Sequence, residues 1–185
     1  MSPSNRYERL VSLPMAVPAV QGLHRIPEAG IDTRQYIGLD RNERLSPFPD
    51  WFMDNIRQAV QSNLLNWYPV QDELEQELAA YVDLPVEQII LTPSSDSAFK
   101  ALYQAYIGPG DSVVMLDPSY AMFPVYAHMF QGYPVLIPFD NDLKIDTEHL
   151  LESIIPGVRL VMIANPNQPT GTVLGDEILL EIIDR

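Results

Sequence analysis

The sequence predicts a three-layer α/β fold: a mostly parallel sheet between two layers of helices, with an N-terminal arm ahead of it. Two observations predict the sheet and a third the arm. Short apolar runs recur along the chain as Ile89-Ile90-Leu91, Val113-Val114-Met115-Leu116, Val135-Leu136-Ile137 and Leu160-Val161-Met162-Ile163. Strands apolar on consecutive residues are covered on both faces, as parallel strands are. Between these runs the apolar residues fall at helical spacing, and an alternation of strands and helices defines the α/β class. The first 45 residues differ, because Pro14, Pro18, Gly22, Pro27 and Gly30 interrupt every short apolar run. No long helix or strand forms there. That segment reads either as an extended arm lying on another surface or as a flexible tail.

Regular structure begins at Asp50. Asp50 is expected to cap a helix through about Asn66, with Phe52, Ile56, Val60 and Leu64 on one side, until Tyr68-Pro69 breaks it. A second helix follows Asp72, carrying Leu74, Leu78 and Tyr81-Val82. Its Asp72, Glu73, Glu75 and Glu77 form a solvated face. The run at 89–91 is the first expected strand, and Ser97 to Ile107 is a helix stopped by Gly108-Pro109-Gly110. The strand at 113–116 leads to a helix from Tyr120 to Phe130, and the strand at 135–137 to a helix from Thr147 to Ile155. The strand at 160–163 leads to a last helix from Asp176 to Ile183. Arg185 follows this apolar helix without a Gly cap or polar tail, so a four-stranded sheet ending here reads as an incomplete domain.

Composition narrows the function. The 185 residues are 46% hydrophobic with a net charge of −14, enough chain for one sizeable core. Such an acidic balance argues against a nucleic-acid partner and against a polybasic membrane surface. No apolar run approaches the roughly 20 residues of a membrane span. Met1 to Leu23 carries two arginines and prolines within its apolar stretch and does not read as a signal peptide. The cysteine count of zero removes disulfides, thiolate metal sites and a Cys nucleophile, and it fits the reducing cytoplasm. His24, His128 and His149 lie far apart, with no metal-ligand spacing between them. Trp51 and Trp67 bracket one expected helix and read as packing residues.

Three polar segments follow apolar runs. Thr92-Pro93-Ser94-Ser95-Asp96-Ser97 lies between a strand and a helix, where free N–H groups and the helix dipole make an anion site. Ser and Asp also cap helices for structural reasons alone. An anion here requires the Asp96 carboxylate to point away and leave its N–H to donate. Asp117-Pro118-Ser119-Tyr120 sets an aromatic ring at the carboxyl edge of the sheet, either as a half-buried Tyr or as a face for a planar ligand. Asn165-Pro166-Asn167-Gln168-Pro169-Thr170-Gly171 reads as a polar turn or as a loop whose prolines hold a strained or cis peptide that aims an amide at a ligand.

Taken in order, Leu39-Asp40-Arg41-Asn42-Glu43, Asn66-Trp67-Tyr68-Pro69, Ser94-Ser95-Asp96, Pro118-Ser119-Tyr120-Ala121-Met122 and the 165–171 segment give the chain a resemblance. From about Leu39 to Arg185 it resembles the pyridoxal-phosphate aminotransferases of the aspartate aminotransferase fold, in particular their histidinol-phosphate aminotransferase branch. The resemblance implies residues 1–45 as arm or small-domain segment and 46–185 as the N-terminal portion of the large cofactor-binding domain. It implies pyridoxal 5′-phosphate as cofactor, amino-acid and 2-oxo-acid substrates, a role in amino-acid biosynthesis, and a homodimer. Ser95 and Asp96 match the residues that hold the cofactor phosphate, and Tyr120 the ring stacked on the pyridine. Gln168 stands where the family usually has an Asn bonding the ring's phenolic oxygen, so either Gln168 or Asn167 takes that role. Tyr68 matches the Tyr that reaches the phosphate of the neighbouring subunit's cofactor, and Asn42 and Glu43 match a segment near the substrate.

The family's reaction also uses a Lys that bonds to the cofactor and moves a proton. Lys100 and Lys144 are the lysines here and neither matches it, so no catalytic residue is assigned in this chain. The family's Asp for the pyridine nitrogen and its Arg for the substrate carboxylate have no counterpart either. The expectation is the N-terminal part of an aminotransferase, inactive alone. A decarboxylase of phosphorylated amino acids with the same cofactor is one alternative, and a non-catalytic binding or interaction module is the other.

Overall fold

Three strands form the sheet of the computed structural model, which describes residues 18–21, 43–60 and 66–185. They are β1 (Ser112–Asp117), β2 (Tyr133–Pro138) and β3 (Val158–Met162), all parallel, in the order β2-β1-β3. The helices are α1 (Pro18–Gln21), α2 (Asp50–Ala59), α3 (Asp72–Val82), α4 (Ser95–Tyr106), α5 (Met122–Met129), α6 (Thr147–Glu152) and α7 (Asp176–Asp184). The chain divides into two compact units, Met1–His24 with Thr92–Arg185, and Arg25–Leu91.

In the first unit, alternate residues of the central strand feed opposite cores. Val113 and Met115 pack with Tyr103 and Ile107 at the end of α4 and with Phe123, Tyr126 and Ala127 of α5. Val114 and Leu116 face the other way, onto Ile137, Leu150 of α6, and Ile178, Leu179 and Ile182 of α7. This is the predicted three-layer sandwich, and the period of two along β1 creates it. The crossovers follow the same logic. The chain steps from β1 to β2 in one direction and from β2 back past β1 to β3 in the other. Right-handed crossovers in opposite directions place α5 and α6 on opposite faces.

Gly132 shows how tightly the turn into β2 is packed. A Cβ there would meet Ile107 Cγ2 at 2.7 Å and the Asp111 carbonyl oxygen at 3.2 Å. The opposite case is Tyr103, fully buried, whose hydroxyl has no hydrogen-bond partner among the described residues. Burial pushes its phenol up, well above the ordinary range. An unsatisfied buried hydroxyl costs about 1–3 kcal/mol. Tyr103→Phe is therefore expected to raise unfolding stability by about 1 kcal/mol, measured by urea denaturation; a loss of stability would show that the hydroxyl has a partner.

Several expectations need correction. The 89–91 run is not a strand. Ile89 is extended (φ −103°, ψ 129°) after a 3₁₀ turn at Val86–Gln88, but no strand among the described residues pairs with it. Ile90 is 85% exposed. An apolar run becomes a strand only where a neighbour takes its N–H and C=O groups. The sheet accordingly has three strands rather than four. Helix α2 ends at Ala59, short of Asn66, and its cap residue is Pro49 without a side-chain bond. Asp50 is the first helical residue, where its charge still favours the positive helix end. Trp51 and Trp67, expected in packing, are 65% and 69% exposed. Of the acidic face, Asp72, Glu73 and Glu77 are exposed as expected. The arm reading for 1–45 lies outside the described residues, except for 18–21 and 43–45. So do Asn42 and His24. Among the described residues no helix is long and apolar enough to cross a membrane.

Candidate functional site at the carboxyl edge of the sheet

The neighbours β1 and β3 send their chains to opposite faces, since β1 leads to α5 and β3 to α7. The two connections leave the sheet toward opposite faces at the carboxyl ends of the strands, the position where open α/β sheets bind ligands. The loops there are those read from the sequence as polar segments.

The 163–175 loop is built around two amides. The Asn165 side chain clamps Leu174, accepting from its N–H at 2.9 Å and donating to its carbonyl at 3.1 Å. Asn167 is 3% exposed, and its amide is fully engaged. Its Nδ2 donates to the Pro118 carbonyl (3.0 Å) and to Thr170 Oγ1 (2.9 Å), and its Oδ1 accepts from the Ser119 hydroxyl (2.7 Å). Its backbone closes the same turn, with N–H to the Thr172 carbonyl (2.8 Å) and C=O from the Gly171 N–H (2.7 Å). Gly171 sits at φ +72°, the left-handed region that favours glycine. Asn167 therefore stitches the loop after β3 to the loop after β1. The peptide bonds Asp117–Pro118, Asn165–Pro166 and Gln168–Pro169 are cis. Gln168, next in sequence, is exposed.

The head of α4 is joined to the loop after β1 through Asp96 and Tyr120. Ser94 is its cap residue, and its hydroxyl accepts from the Ser97 N–H at 3.3 Å. Ser95 and Asp96 are the first two helical residues, so their N–H groups have no carbonyl four residues back to bind. Asp96 turns its carboxylate toward Tyr120, whose hydroxyl donates to Oδ1 at 2.7 Å. The carboxylate points aside, as an anion site requires. The Tyr120 ring rests on Phe99 (centroids 6.0 Å) and Phe123 (5.5 Å, edge to face). The hydrogen bond to the Asp96 carboxylate, with burial and that charge adding to it, pushes the Tyr120 phenol up to about 12. A phenol raised in the fold stabilises it fully below the ordinary value near 10. That contribution is expected to vanish as pH climbs from about 10 through about 12, visible as a fall in unfolding midpoint that is smaller in Tyr120→Phe, where the raised phenols of Tyr103 and Tyr126 remain. Removing the neutral cap, Ser94→Ala, is expected to cost about 1 kcal/mol in denaturant unfolding.

Of the six site residues read from the sequence, Ser95, Asp96, Tyr120, Asn167 and Gln168 belong to the first unit. Direct bonds link Asp96 to Tyr120, and Asn167 to the residue before Tyr120. Tyr68 belongs to the second unit, where it is 98% exposed. Sequence reasoning missed Ser119, Asn165 and Thr170. The short polar side chains of Ser, Thr and Asn that bond nearby backbone in loops are the signal that could have found Asn165 and Thr170. The Ser119 partner lies 48 residues away, and local pattern does not reach it. Among the described residues no three His, Cys, Asp or Glu side chains come together as metal ligands, and Lys100 and Lys144 are both exposed.

The fold is α/β, with polar loops gathered at the carboxyl ends of a parallel sheet. The chain belongs to the aminotransferase class I and II family, whose pattern matches residues 34–185. It is 33% identical over 163 residues to a histidinol-phosphate aminotransferase of Dehalococcoides mccartyi, covering 86% of this chain and 44% of that one. A histidinol-phosphate aminotransferase of Corynebacterium diphtheriae is 31% identical over 175 residues, covering 89% and 47%. Among solved structures, the histidinol-phosphate aminotransferase of Sinorhizobium meliloti in complex with pyridoxal-5′-phosphate superposes with a TM-score of 0.75 at 22% identity, over 95% of this chain and 49% of that one. An aspartate aminotransferase tetra mutant of Thermus thermophilus gives 0.67 at 24% identity, over 78% and 42%. The chain spans about half the length of the relatives it matches.

Proposed function

We propose that the protein is the cofactor-holding portion of a pyridoxal-phosphate aminotransferase, which moves an amino group between an amino acid, or an amine like histidinol phosphate, and a 2-oxo acid. The observation that carries this reading is the convergence of the α4 head, Tyr120 and the 163–175 loop at one sheet edge, joined by the Tyr120–Asp96 and Ser119–Asn167 bonds. The cofactor is a phosphate ester on a flat heteroaromatic ring, and the residues here fit both parts. The uncapped N–H groups of Ser95 and Asp96 would hold the phosphate at the positive helix end. The Tyr120 ring, backed by Phe99 and Phe123, would lie against the pyridine face and keep water from it. Asn167 has its amide committed to Pro118, Ser119 and Thr170, which supports Gln168 as the residue that meets the ring's phenolic oxygen.

When bound, the cofactor supplies an electron sink that renders the substrate's α-proton acidic. The residues of this chain bind and orient it. The exposed Tyr68 is proposed to reach the phosphate held by a second copy, so that the working enzyme is a homodimer. We place the protein in the cytoplasm, whose reducing poise a cysteine-free chain fits.

Binding of pyridoxal phosphate, followed by quenching of protein fluorescence, tests the reading. Tyr120→Ala, which removes both the ring and its hydroxyl, is expected to weaken it by more than the roughly 1 kcal/mol of one aromatic contact. Unchanged affinity would remove Tyr120 from the site.

A further inference from the structure

We propose that Asp96 and Tyr120 form a positioning pair in which the Tyr120 hydroxyl parks the Asp96 carboxylate clear of the anion position at the head of α4. The inference rests on the cofactor reading above and deepens it. A carboxylate in the first turn of a helix is ordinarily drawn to that turn's own N–H groups. A bound phosphate needs the same groups, and two anions sharing them repel at close range. Here the acid is turned aside at 2.7 Å onto a hydroxyl that follows β1, 24 residues along the chain. The cap itself is neutral, since Ser94 Oγ takes the Ser97 N–H. The head of α4 thus keeps two donors and no competing charge.

The same bond serves the ring. Tyr120 meets Phe99 and Phe123 along its body and is tethered at its hydroxyl, so its plane is fixed at both ends. The titratable groups that bear on its phenol are Asp96 from α4 and Tyr126 from α5. The pair is a consequence of the fold: it needs the α4 head and the start of α5 side by side, and those helices pack together on one face of the sheet.

A double-mutant cycle tests the proposal, with pyridoxal phosphate as the probe on wild type, Tyr120→Phe, Asp96→Asn and the double variant. Phe keeps the ring and loses only the tether, so Tyr120→Phe is expected to weaken binding about tenfold through the freed carboxylate. The double variant, lacking that charge, is expected to return to within about threefold of wild type. A double variant as weak as Tyr120→Phe would overturn the proposal. Alkaline titration of phenolate absorbance supplies a readout that needs no cofactor. The difference between wild type and Tyr120→Phe isolates this phenol, which is expected to stay protonated past the ordinary value near 10. The difference between Asp96→Asn and the double variant is expected to show it ionising at lower pH than in wild type, with only burial and Tyr126 still raising it. If wild type binds no pyridoxal phosphate, the functional reading fails and the titration decides the pair. Titration of Tyr120 that is indifferent to Asp96 overturns it, and dependence on Asp96 upholds it.

Discussion

Asn167→Ala is expected to be the most destabilising change at the candidate site, by about 3 kcal/mol. The side chain is 3% exposed and bonds the Pro118 carbonyl, the Ser119 hydroxyl and Thr170 Oγ1. Alanine removes all three bonds and strands the carbonyl and hydroxyl at the seam between the loops after β1 and β3. Each buried polar group left unpaired costs about 1–3 kcal/mol. Part of that is recovered where water enters beside Pro118, which is exposed. The melting temperature should fall by roughly 10 °C. The same substitution at the exposed Gln168 is expected to move cofactor affinity more than melting temperature. A mild Asn167→Ala, within about 0.5 kcal/mol of wild type, would show that the two loops do not depend on this amide.

The second large effect is on catalysis. Supplied with pyridoxal phosphate, an amino acid and a 2-oxo acid, the 185-residue chain alone is expected to show no amino transfer. Borohydride is expected to fix no cofactor on a single lysine. Proton transfer at the substrate's α-carbon needs a base within hydrogen-bond reach. Lys100 points to solvent from α4, and Lys144 is exposed in the turn after β2. Asp96 is engaged by Tyr120. A coupled assay of 2-oxo-acid consumption, with mass spectrometry of the reduced protein, measures both parts. Robust turnover, or stoichiometric labelling of one lysine, would mean that the chemistry lies in a group the account has left idle.

Much of the fold was legible because its signals are local and repeated. Val113 to Leu116 is apolar at every position, and that pattern alone implies cover on both faces; the structure provides it with α4 and α5 on one side and α6 and α7 on the other. The run at 89–91 carries a similar signal and is unpaired among the described residues, because pairing is a property of the neighbour and not of the run. Trp51 and Trp67 misled for a related reason: an aromatic side chain reads as core whether or not another surface covers it. The helix expected from Ser97 begins instead at Ser95, after the cap Ser94, because several polar residues in a row offer a cap and only the folded turn selects one.

At the site, residue types were readable and their commitments were not. Asn167 and Gln168 are adjacent amides in one turn, and nothing local separates them. Only the folded loops show that Asn167 is consumed by Pro118 and Ser119, almost 50 residues away. The awkward carboxylate of Asp96 was visible as a problem for an anion site, and its solution lies in a hydroxyl on the next crossover. Such long-range bonds decide which polar residues of a loop are committed to the fold.

The account stands on the head of α4, Tyr120 and the 163–175 loop as one cofactor site. Titration of the isotopically labelled chain with pyridoxal phosphate, read by amide and aromatic resonances, tests this most directly. The account predicts that the Ser95 and Asp96 amides and the Tyr120 ring shift together and saturate with one affinity. It predicts no shift at Gly157 and Ser112, at the opposite edge of the sheet. Shifts confined to that opposite edge, or none at Ser95, Asp96 and Tyr120 under saturating cofactor, would contradict it.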